Sequence, residues 1–499
     1  MKIIWCLLWV LLIAHLIALP FWHKIFGAVF GKEFSSKILR FVVKAAYYSA
    51  IPVALAFPLA LIGGNINWLR WAKYVARDQR FPAALAAVIL LAIVPILSKT
   101  ARAIIKKIFC PKVRRFLVGA ATYKIIFLAL LASLMYFSLQ IGKREIYARM
   151  QPRNVPAAGG NNGWVDVRGE IHTHCYLSHD SRGTPEEISR AAQKNGIRWV
   201  IFTDHLRKLP PGNYPNYVNG VLFIYGSERN GPEKSSQFWA SLKDLPPTLH
   251  LHGHLERFCR LPDEEKWKLV DGKSFALLND DKWQPLDAIE LVNFHANAFE
   301  NSPKILGAAF FKPEDLYDGL LVPLPELFDY WQTLAKKADR PIPIFAAPDA
   351  HQNIKILGIQ MDPYELTLGL ISTHIWIERG KELNRESIFE AIKQGRTYIA
   401  FDYLGDPTGF QFSAVVTNDA YYQTLYTGGI AVGPKYLLVK LPDSENTPET
   451  EIRLYRDNHL DSIGVGGNTE IENPAPGFWR TEIWKHGKLW IISGQILIK

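Results

Sequence analysis

The sequence predicts a chain of three regions: an α-helical transmembrane region, an α/β domain with a parallel sheet, and a small C-terminal β-sandwich. Three observations predict this fold class. Long uncharged stretches fill the first 150 residues, strand and helix patterns alternate after them, and short alternating runs without helical periodicity follow residue 405. The predicted boundaries are 1–149 for the membrane region, 150–164 for a linker, 165–404 for the α/β domain and 405–499 for the sandwich.

Four uncharged stretches predict about four transmembrane helices. They cover residues 3–22, 45–69, 81–98 and 125–142, and each is close to the roughly 20 residues that a helix needs to span a bilayer. Basic clusters flank them, and a slight excess of basic residues on one side favours an extracytoplasmic C-terminal part. The sequence therefore predicts an integral membrane protein of a bacterial inner or plasma membrane, with the lipid bilayer as a partner.

Charge is divided unevenly along the 499 residues. Residues 1–153 contain 22 Lys and Arg against 3 Asp and Glu, whereas residues 154–499 contain 35 against 44. The net charge of +10 therefore belongs to the apolar first region, and no nucleic-acid partner is expected. A hydrophobic content of 48% excludes a disordered chain, and four cysteines exclude a disulfide scaffold.

The α/β domain is predicted to begin with a strand–helix–strand unit after a linker rich in Pro, Gly and Asn. Residues 164–171 read as a strand, and Thr184 caps a helix that starts at Pro185 and ends near residues 195–196. The apolar run 197–203 is then a buried strand. Because a helix joins the two strands, they are expected to pair in parallel. Three more strand candidates follow at 287–293, 343–347 and 372–377.

The C-terminal region is predicted to be antiparallel. Its short alternating runs are separated by turns rich in Pro, Gly, Asn and Asp, and they cover residues 436–441, 451–456, 479–484 and 489–492. This pattern is typical of a β-sandwich, and no chemistry is evident in it.

Candidate functional residues cluster in the middle region, where nine of the 14 histidines lie between His172 and His351. His172 and His174 follow a predicted strand at i and i+2, so both imidazoles can point to one face and reach one metal ion. Asp349 and His351 have the same spacing after another apolar run. Further acidic or imidazole side chains stand at or just after the other strand ends, namely Asp180, Asp204, His205 and Glu228.

Each of these features alone has an ordinary structural explanation. An isolated His-x-His pair is usually incidental, and a carboxylate at a strand end usually caps the next helix. Their repetition at four or five strand ends is what indicates a site, because the carboxyl ends of parallel barrel strands converge on one rim.

These motifs resemble those of the PHP (polymerase and histidinol phosphatase) family of metal-dependent phosphoesterases. The resemblance covers about residues 165–400 and rests on the segments 172–180, 203–205, 228 and 347–351. The segment 394–400, followed by the closing run 477–482, is similar to the branch with carbaryl-hydrolase-like enzymes. The resemblance implies a distorted (β/α)₇ barrel with two or three divalent metal ions, Mn, Zn or Fe, at its rim.

Residue roles are implied by the same resemblance. It makes eight side chains metal ligands: His172, His174, Asp180, His205, Glu228, His254, Asp349 and His351. His254 is favoured over His250 and His252 because 253–256 resembles a family motif, with Leu255 in place of its Pro. Asp204, expected to orient His205 or another ligand, and His295 are the further catalytic candidates. Arg182 and Arg229 are candidates for binding an anionic substrate oxygen, although a salt bridge to a nearby carboxylate would explain each equally well.

Three functions are compatible with these motifs. The first is hydrolysis of a phosphoester by a metal-bound hydroxide, acting on a small anionic or ester substrate. The second is hydrolysis of a carbamate, amide or ester at the same site. The third is a catalytically inactive membrane sensor, against which the intact ligand set argues. The motifs do not separate phosphorus-containing substrates from carbamates, and they leave the oligomeric state open.

Overall fold

The computed structural model describes Ser133, Gln140 and most of residues 163–499. The segments that it does not describe within this range are 207–213, 241–247, 280–281, 301–320, 322, 357–358, 361, 418–421 and 443–448. Apart from Ser133 and Gln140, the predicted membrane region and the four uncharged stretches lie outside the described residues.

The predicted helical transmembrane region is not seen among the residues that the structure describes. Among the described residues, no helix combines the length and the apolar character needed to cross a bilayer. The longest helix in this part of the chain, Pro325–Ala338, has 14 residues, whereas a spanning helix needs roughly 20. This finding contradicts two predictions from the sequence, namely the helical transmembrane region of the fold class and the localisation as an integral membrane protein.

The described residues form 25 strands and seven α-helices. The strands are β1 Trp164–Thr173, β2 Trp199–Phe202, β3 Tyr217–Val218, β4 Val221–Asn230, β5 Ser236–Ala240, β6 Leu249–Gly253, β7 Val270–Asp271, β8 Ala276–Asn279, β9 Lys282–Pro285, β10 Ala288–Asn293, β11 Ile344–Ala347, β12 Lys355–Ile356, β13 Ile359–Gln360, β14 Ser372–Glu378, β15 Thr397–Ala400, β16 Gln411–Thr417, β17 Tyr422–Tyr426, β18 Ile430–Ala431, β19 Tyr436–Lys440, β20 Thr450–Arg456, β21 His459–Val465, β22 Thr469–Glu472, β23 Gly477–Lys485, β24 Lys488–Ser493 and β25 Ile496–Ile498. The helices are α1 Pro185–Lys194, α2 Leu255–Phe258, α3 Asp263–Leu269, α4 Phe294–Glu300, α5 Pro325–Ala338, α6 Tyr364–Leu370 and α7 Arg385–Lys393.

Local sequence explains the first strand–helix–strand unit. The Thr184 side chain accepts a hydrogen bond from the Glu187 backbone N–H, and Pro185 occupies the first turn of α1, where its missing N–H costs nothing. Strand β2 is buried along its whole length, as its continuous apolar run indicates, and it pairs in parallel with both β1 and β4.

A 16-stranded mixed sheet organises the fold. Its main path is β11-β10-β6-β5-β4-β2-β1-β14-β15-β24-β23-β20-β21. The pairs β1–β2, β2–β4, β6–β10 and β10–β11 are parallel, whereas β5 pairs in antiparallel fashion with β4 and β6, and β14 with β1. The expected distorted (β/α)₇ barrel is therefore corrected to a mixed sheet of 16 strands, accompanied by seven α-helices among the described residues.

The first end of this sheet curls back onto its middle. The end strand β11 is followed by a parallel bridge between Thr173 and Ala350, and the His174 N–H donates to the Ala350 carbonyl at 3.0 Å. The Thr373 hydroxyl on β14 also hydrogen-bonds both the N–H and the carbonyl of Ala346 on β11. The interior between these strands is filled by apolar side chains such as Ile171 and Phe345. The carboxyl ends of the parallel strands consequently surround one rim.

Some of the C-terminal strands continue the 16-stranded sheet. Strand β15 pairs with β24, so β24, β23, β20 and β21 continue the sheet that carries β1. A four-stranded sheet, β17-β16-β19-β22, supplies the facing layer, and both layers contribute to one apolar cluster that includes Phe412, Leu437, Trp479 and Trp490. The sequence pattern identifies the alternating strands, but it does not reveal that one layer extends the 16-stranded sheet.

Candidate metal centre

Strand ends position the predicted ligands at one rim. His172 and His174 lie at the end of β1, Glu228 lies near the end of β4, and His205 follows β2. His254 follows β6 directly, and His295 lies in the first turn of α4 after β10. Asp349 and His351 follow β11. Since β1, β2, β4, β6, β10 and β11 run in the same direction, their carboxyl ends bring these side chains together.

Three of the ligand candidates have a left-handed backbone. The φ angles are +72° at His172, +51° at His254 and +48° at Asp349. The β1–β2 register shifts between Ile171 and Thr173, so the bulge falls on His172 and redirects its side chain. A left-handed backbone conformation at a non-glycine residue costs on the order of 1–3 kcal/mol. Such strained residues are concentrated at functional sites.

Four buried atoms form the middle of the site. His172 Nε2 lies 3.3 Å from Glu228 Oε2 and 3.2 Å from Asp349 Oδ1. His174 Nε2 lies 3.3 Å and 3.5 Å from the same two oxygens. All four side chains are at most 6% exposed, and none of these four atoms has a hydrogen-bond partner.

A second group lies on the more open side of this middle. Asp180 Oδ2 is 3.3 Å from both His205 Nε2 and His351 Nε2. The Asp180 and His205 side chains are 29% and 32% exposed, whereas that of His351 is 6% exposed. These three residues and His174 can present ligand atoms within 4.8 Å of one another. Solvent can therefore reach the site from this side.

His254 and His295 complete the ring of imidazoles around Asp349. His254 Nε2 is 3.6 Å from Asp349 Oδ2 and 3.5 Å from Glu228 Oε1, and His295 Nδ1 is 3.4 Å from Asp349 Oδ2. The carboxylates of Asp349 and Glu228 are thus each shared among several imidazoles, as bridging carboxylates in multinuclear metal sites are.

Electrostatics couples these groups strongly. Burial lowers the pKa of His172, but the carboxylates of Asp349, Glu228 and Glu290 outweigh it and raise that pKa well above its ordinary value. Burial acts in the same direction on His174, whose pKa is nevertheless raised to about 9 by Asp349 and Glu228. Burial raises the pKa of Glu228 and Asp349, yet the neighbouring imidazoles hold both well below the usual range. The buried carboxylates of Glu228 and Asp349 are therefore ionised, and positive charge close to them stabilises this form.

The donor set fits divalent cations. Several of these His, Asp and Glu groups can hold a metal ion, because imidazole nitrogens and carboxylate oxygens face one another within ligand distance. Two imidazoles and two carboxylates whose inward atoms lack hydrogen-bond partners would be costly in a buried site without a cation.

Binding of a divalent metal ion is expected to release protons. Nearby carboxylates raise the pKa of His174 to about 9, so its imidazole is protonated at pH 7 before metal binds, and they raise the pKa of His172 as well. Since imidazole binds metal only as the neutral form, we expect a net release of protons, at least about one per chain. Calorimetric titration at pH 7 in buffers of different ionisation enthalpy measures this number, and a value near zero would contradict the assignment of both residues as ligands.

The remaining predicted site residues lie outside the ring. Asp204 does not contact His205 through its carboxylate: its two oxygens accept from the Cys175 N–H at 2.7 Å and the Cys175 thiol at 3.1 Å. Arg229 alternates with Glu228 on β4 and stacks on Trp239, with 4.7 Å between its Cζ atom and the ring centroid. Arg182 is exposed and makes no ion pair with a described ligand candidate. Substrate binding by either arginine stays a prediction.

Of the three histidines in 250–254, only His254 reaches the ring. The Nε2 atom of His250 lies 3.2 Å from the Thr248 hydroxyl. His252 is fully buried beside Phe258, and burial lowers its pKa to about 3. Neither belongs to a group of described residues that can hold a metal ion.

Several residues that support the site were missed from the sequence. Glu290 Oε2 lies 2.7 Å from His172 Nδ1, and the Ser236 hydroxyl donates to Glu228. The Tyr364 hydroxyl lies 2.7 Å from the His174 carbonyl oxygen and 3.3 Å from that of His351. Glu290 could have been predicted from the sequence, since it is a carboxylate near the end of a predicted strand, as the other candidates are. Tyr364 could not, because its hydroxyl hydrogen-bonds the backbone of residues far from it in the sequence.

Comparisons with known proteins add little to this geometry. No protein-family model and no curated protein matches the chain. Among solved structures, the chain is similar to the crystal structure of PsfC from Pseudomonas syringae PB-5123, with 12% identity and a TM-score of 0.27 over 48% of this chain and 92% of PsfC. Similarity at this level indicates neither fold nor activity.

Proposed function

We propose that the chain is a divalent-metal-dependent hydrolase of the PHP type that acts on phosphoesters. The observation that carries this proposal is the convergence of His172 Nε2, His174 Nε2, Glu228 Oε2 and Asp349 Oδ1 in a buried site where none of the four has a hydrogen-bond partner. A purely structural ion-pair cluster would be expected to satisfy its inward atoms with hydrogen bonds.

The ligand types support two or three ions of Mn, Zn or Fe. His172, His174, Glu228 and Asp349 would hold the buried ion, and Asp180, His205 and His351 a more open one. His254 and His295 are placed to complete the shell around Asp349. Sites with both nitrogen and oxygen donors suit Mn, Zn and Fe, whereas Ca²⁺ and Mg²⁺ prefer sites with oxygen donors alone.

Hydrolysis follows from what such ions supply. When bound, adjacent divalent ions lower the pKa of water and stabilise negative charge on the attacking and leaving oxygens. The chain's own residues bury the middle of the site and leave its Asp180 and His205 side partly exposed to solvent. No side-chain nucleophile is needed, since burial and the Asp204 carboxylate raise the pKa of the only nearby thiol among the described residues, Cys175, and keep it protonated.

A substrate panel on the full-length chain tests this proposal. We expect hydrolysis of aryl phosphomonoesters or phosphodiesters that is abolished by a chelator and restored by Mn²⁺, Zn²⁺ or Fe²⁺. Aryl carbamates, anilides and carboxylic esters of the same leaving groups serve as matched substrates. Cleavage of these alone would replace the phosphoester by a carbonyl substrate, and metal binding without any turnover would favour an inactive sensor.

A further inference from the structure

Glu290 lies behind the metal centre rather than within its ring. It is a residue of β10 and is only 2% exposed. Its Oε2 atom is 2.7 Å from His172 Nδ1, and its Oε1 atom accepts from the His254 N–H at 2.9 Å and from Asn293 Nδ2 at 3.1 Å. Glu290 thus meets hydrogen-bond donors on both of its carboxylate oxygens.

We propose that Glu290 is a positioning residue that makes His172 a metal ligand through Nε2. A neutral imidazole carries one proton, on either Nδ1 or Nε2. Donation from Nδ1 to Glu290 places the proton on that side, so the lone pair of Nε2 points to Glu228 and Asp349. A carboxylate in this role fixes the tautomer and ring orientation of a ligand and makes it a stronger base. This inference rests on the proposed metal-dependent function.

The same carboxylate also links other ligands. Its bond to the His254 N–H fixes the left-handed turn that places the His254 side chain, and Asn293 Nδ2 connects it to Asp349 Oδ2, at 3.5 Å. Gly253 leaves room for this arrangement, because a Cβ atom there would lie 2.3 Å from the Phe238 ring and 3.1 Å from Glu290 Oε2. Phe238 packs on the His172 ring, with 4.3 Å between the ring centroids.

Direct metal ligation by Glu290 is the competing explanation. His254, Glu256 and Glu290 can present ligand atoms within 4.8 Å of one another. The short contact to His172 Nδ1 favours positioning, since Oε2 already accepts a hydrogen bond there and Oε1 already accepts two. The two roles predict different metal stoichiometry for a variant that lacks the Glu290 carboxylate. If Glu290 is a ligand, the variant binds one ion fewer at saturation. If Glu290 only positions His172, the variant binds the same number of ions with lower affinity.

The test is the Glu290→Gln variant of the full-length chain, titrated with Co²⁺. Glutamine keeps the size of the side chain but turns one acceptor into an N–H₂ donor that faces existing donors. We expect a loss of Co²⁺ affinity of about 10- to 100-fold at unchanged saturating stoichiometry. The paramagnetically shifted proton signal of His172 Nδ1–H should also move or exchange faster with water. Asp287→Asn is the control, because Asp287 accepts from the His250 N–H and belongs to no group of described residues that can hold a metal ion, and it should leave that signal in place.

A double-mutant cycle asks whether Glu290 acts through His172. If it does, Glu290→Gln should reduce Co²⁺ affinity by a clearly smaller factor once His172 is replaced by alanine, because interacting residues are not additive, and the loss that remains reflects the contacts of Glu290 with the His254 N–H and Asn293. Glu290→Asp, which retains but retracts the carboxylate, should give an intermediate loss and replaces Glu290→Gln if that variant does not fold. Wild-type affinity in both variants, or full additivity in the cycle, would overturn the positioning role.

These outcomes are separable from the fate of the proposed function. A wild-type chain that binds no divalent ion refutes the metal centre itself. A wild-type chain that binds Co²⁺ while Glu290→Gln loses one ion at saturation refutes positioning and assigns Glu290 as a ligand.

Discussion

The Asp349→Asn variant is expected to lose almost all hydrolytic activity and most of its affinity for metal. Asp349 is 4% exposed, and its two oxygens lie between 3.2 and 3.6 Å from the imidazoles of His172, His174, His254 and His295. Asparagine preserves the shape but removes the charge. Losing one partner of a buried charged cluster costs about 3–5 kcal/mol, which corresponds to roughly 10²- to 10⁴-fold.

Metal affinity by calorimetry and turnover of the best phosphoester substrate measure this effect. Asp287→Asn is a suitable control, because Asp287 is also a partly buried aspartate near a strand end, but it accepts from the His250 N–H and lies outside the ring. We expect it to retain wild-type metal affinity. Equal metal affinity and equal turnover in the two variants would contradict the assignment of Asp349 as a metal ligand.

The second large effect concerns the first motif, in which His172→Ala and Cys175→Ser should behave in opposite ways. His172→Ala removes an imidazole that lies between Glu228, Asp349 and Glu290, and it leaves three buried carboxylates with less compensation. We expect turnover to fall by about three orders of magnitude or more. In Cys175→Ser, the hydroxyl can still donate to Asp204, so most activity should remain.

Steady-state kinetics on both variants, with circular dichroism to verify folding, checks this contrast. The reverse pattern, with activity lost in Cys175→Ser and kept in His172→Ala, would indicate a thiol nucleophile and refute the metal-dependent mechanism.

The site was more predictable than the architecture, for reasons of distance along the chain. His172 and His174 are two residues apart on one strand, so the sequence alone indicates that they can share a ligand, and their Nε2 atoms do face the same two oxygens. The Asp349 and His351 pair follows the same rule. The sequence also predicts that the carboxyl ends of different strands meet, because parallel strands end at one edge of a sheet. The strands that carry these residues do pair in parallel.

Other features depend on contacts that spacing does not encode. Asp204 precedes His205 directly, yet its carboxylate turns to Cys175, because adjacent residues need not share partners. The continuation of the 16-stranded sheet through β24 arises from pairing between distant segments, since β15 ends at Ala400 and β24 begins at Lys488. The helical membrane prediction used only local apolar composition, and the described helices do not support it.

The metal content of the full-length chain tests the central claim most directly. The protein is expressed in medium supplemented with Mn, Zn and Fe, purified without chelator, and subjected to elemental analysis beside Asp349→Asn and Asp287→Asn. The buried convergence of His172, His174, Glu228 and Asp349 predicts about two to three ions per wild-type chain, a clear loss in Asp349→Asn and no loss in Asp287→Asn. Less than about one ion per wild-type chain, or equal content in all three proteins, would contradict the metal centre.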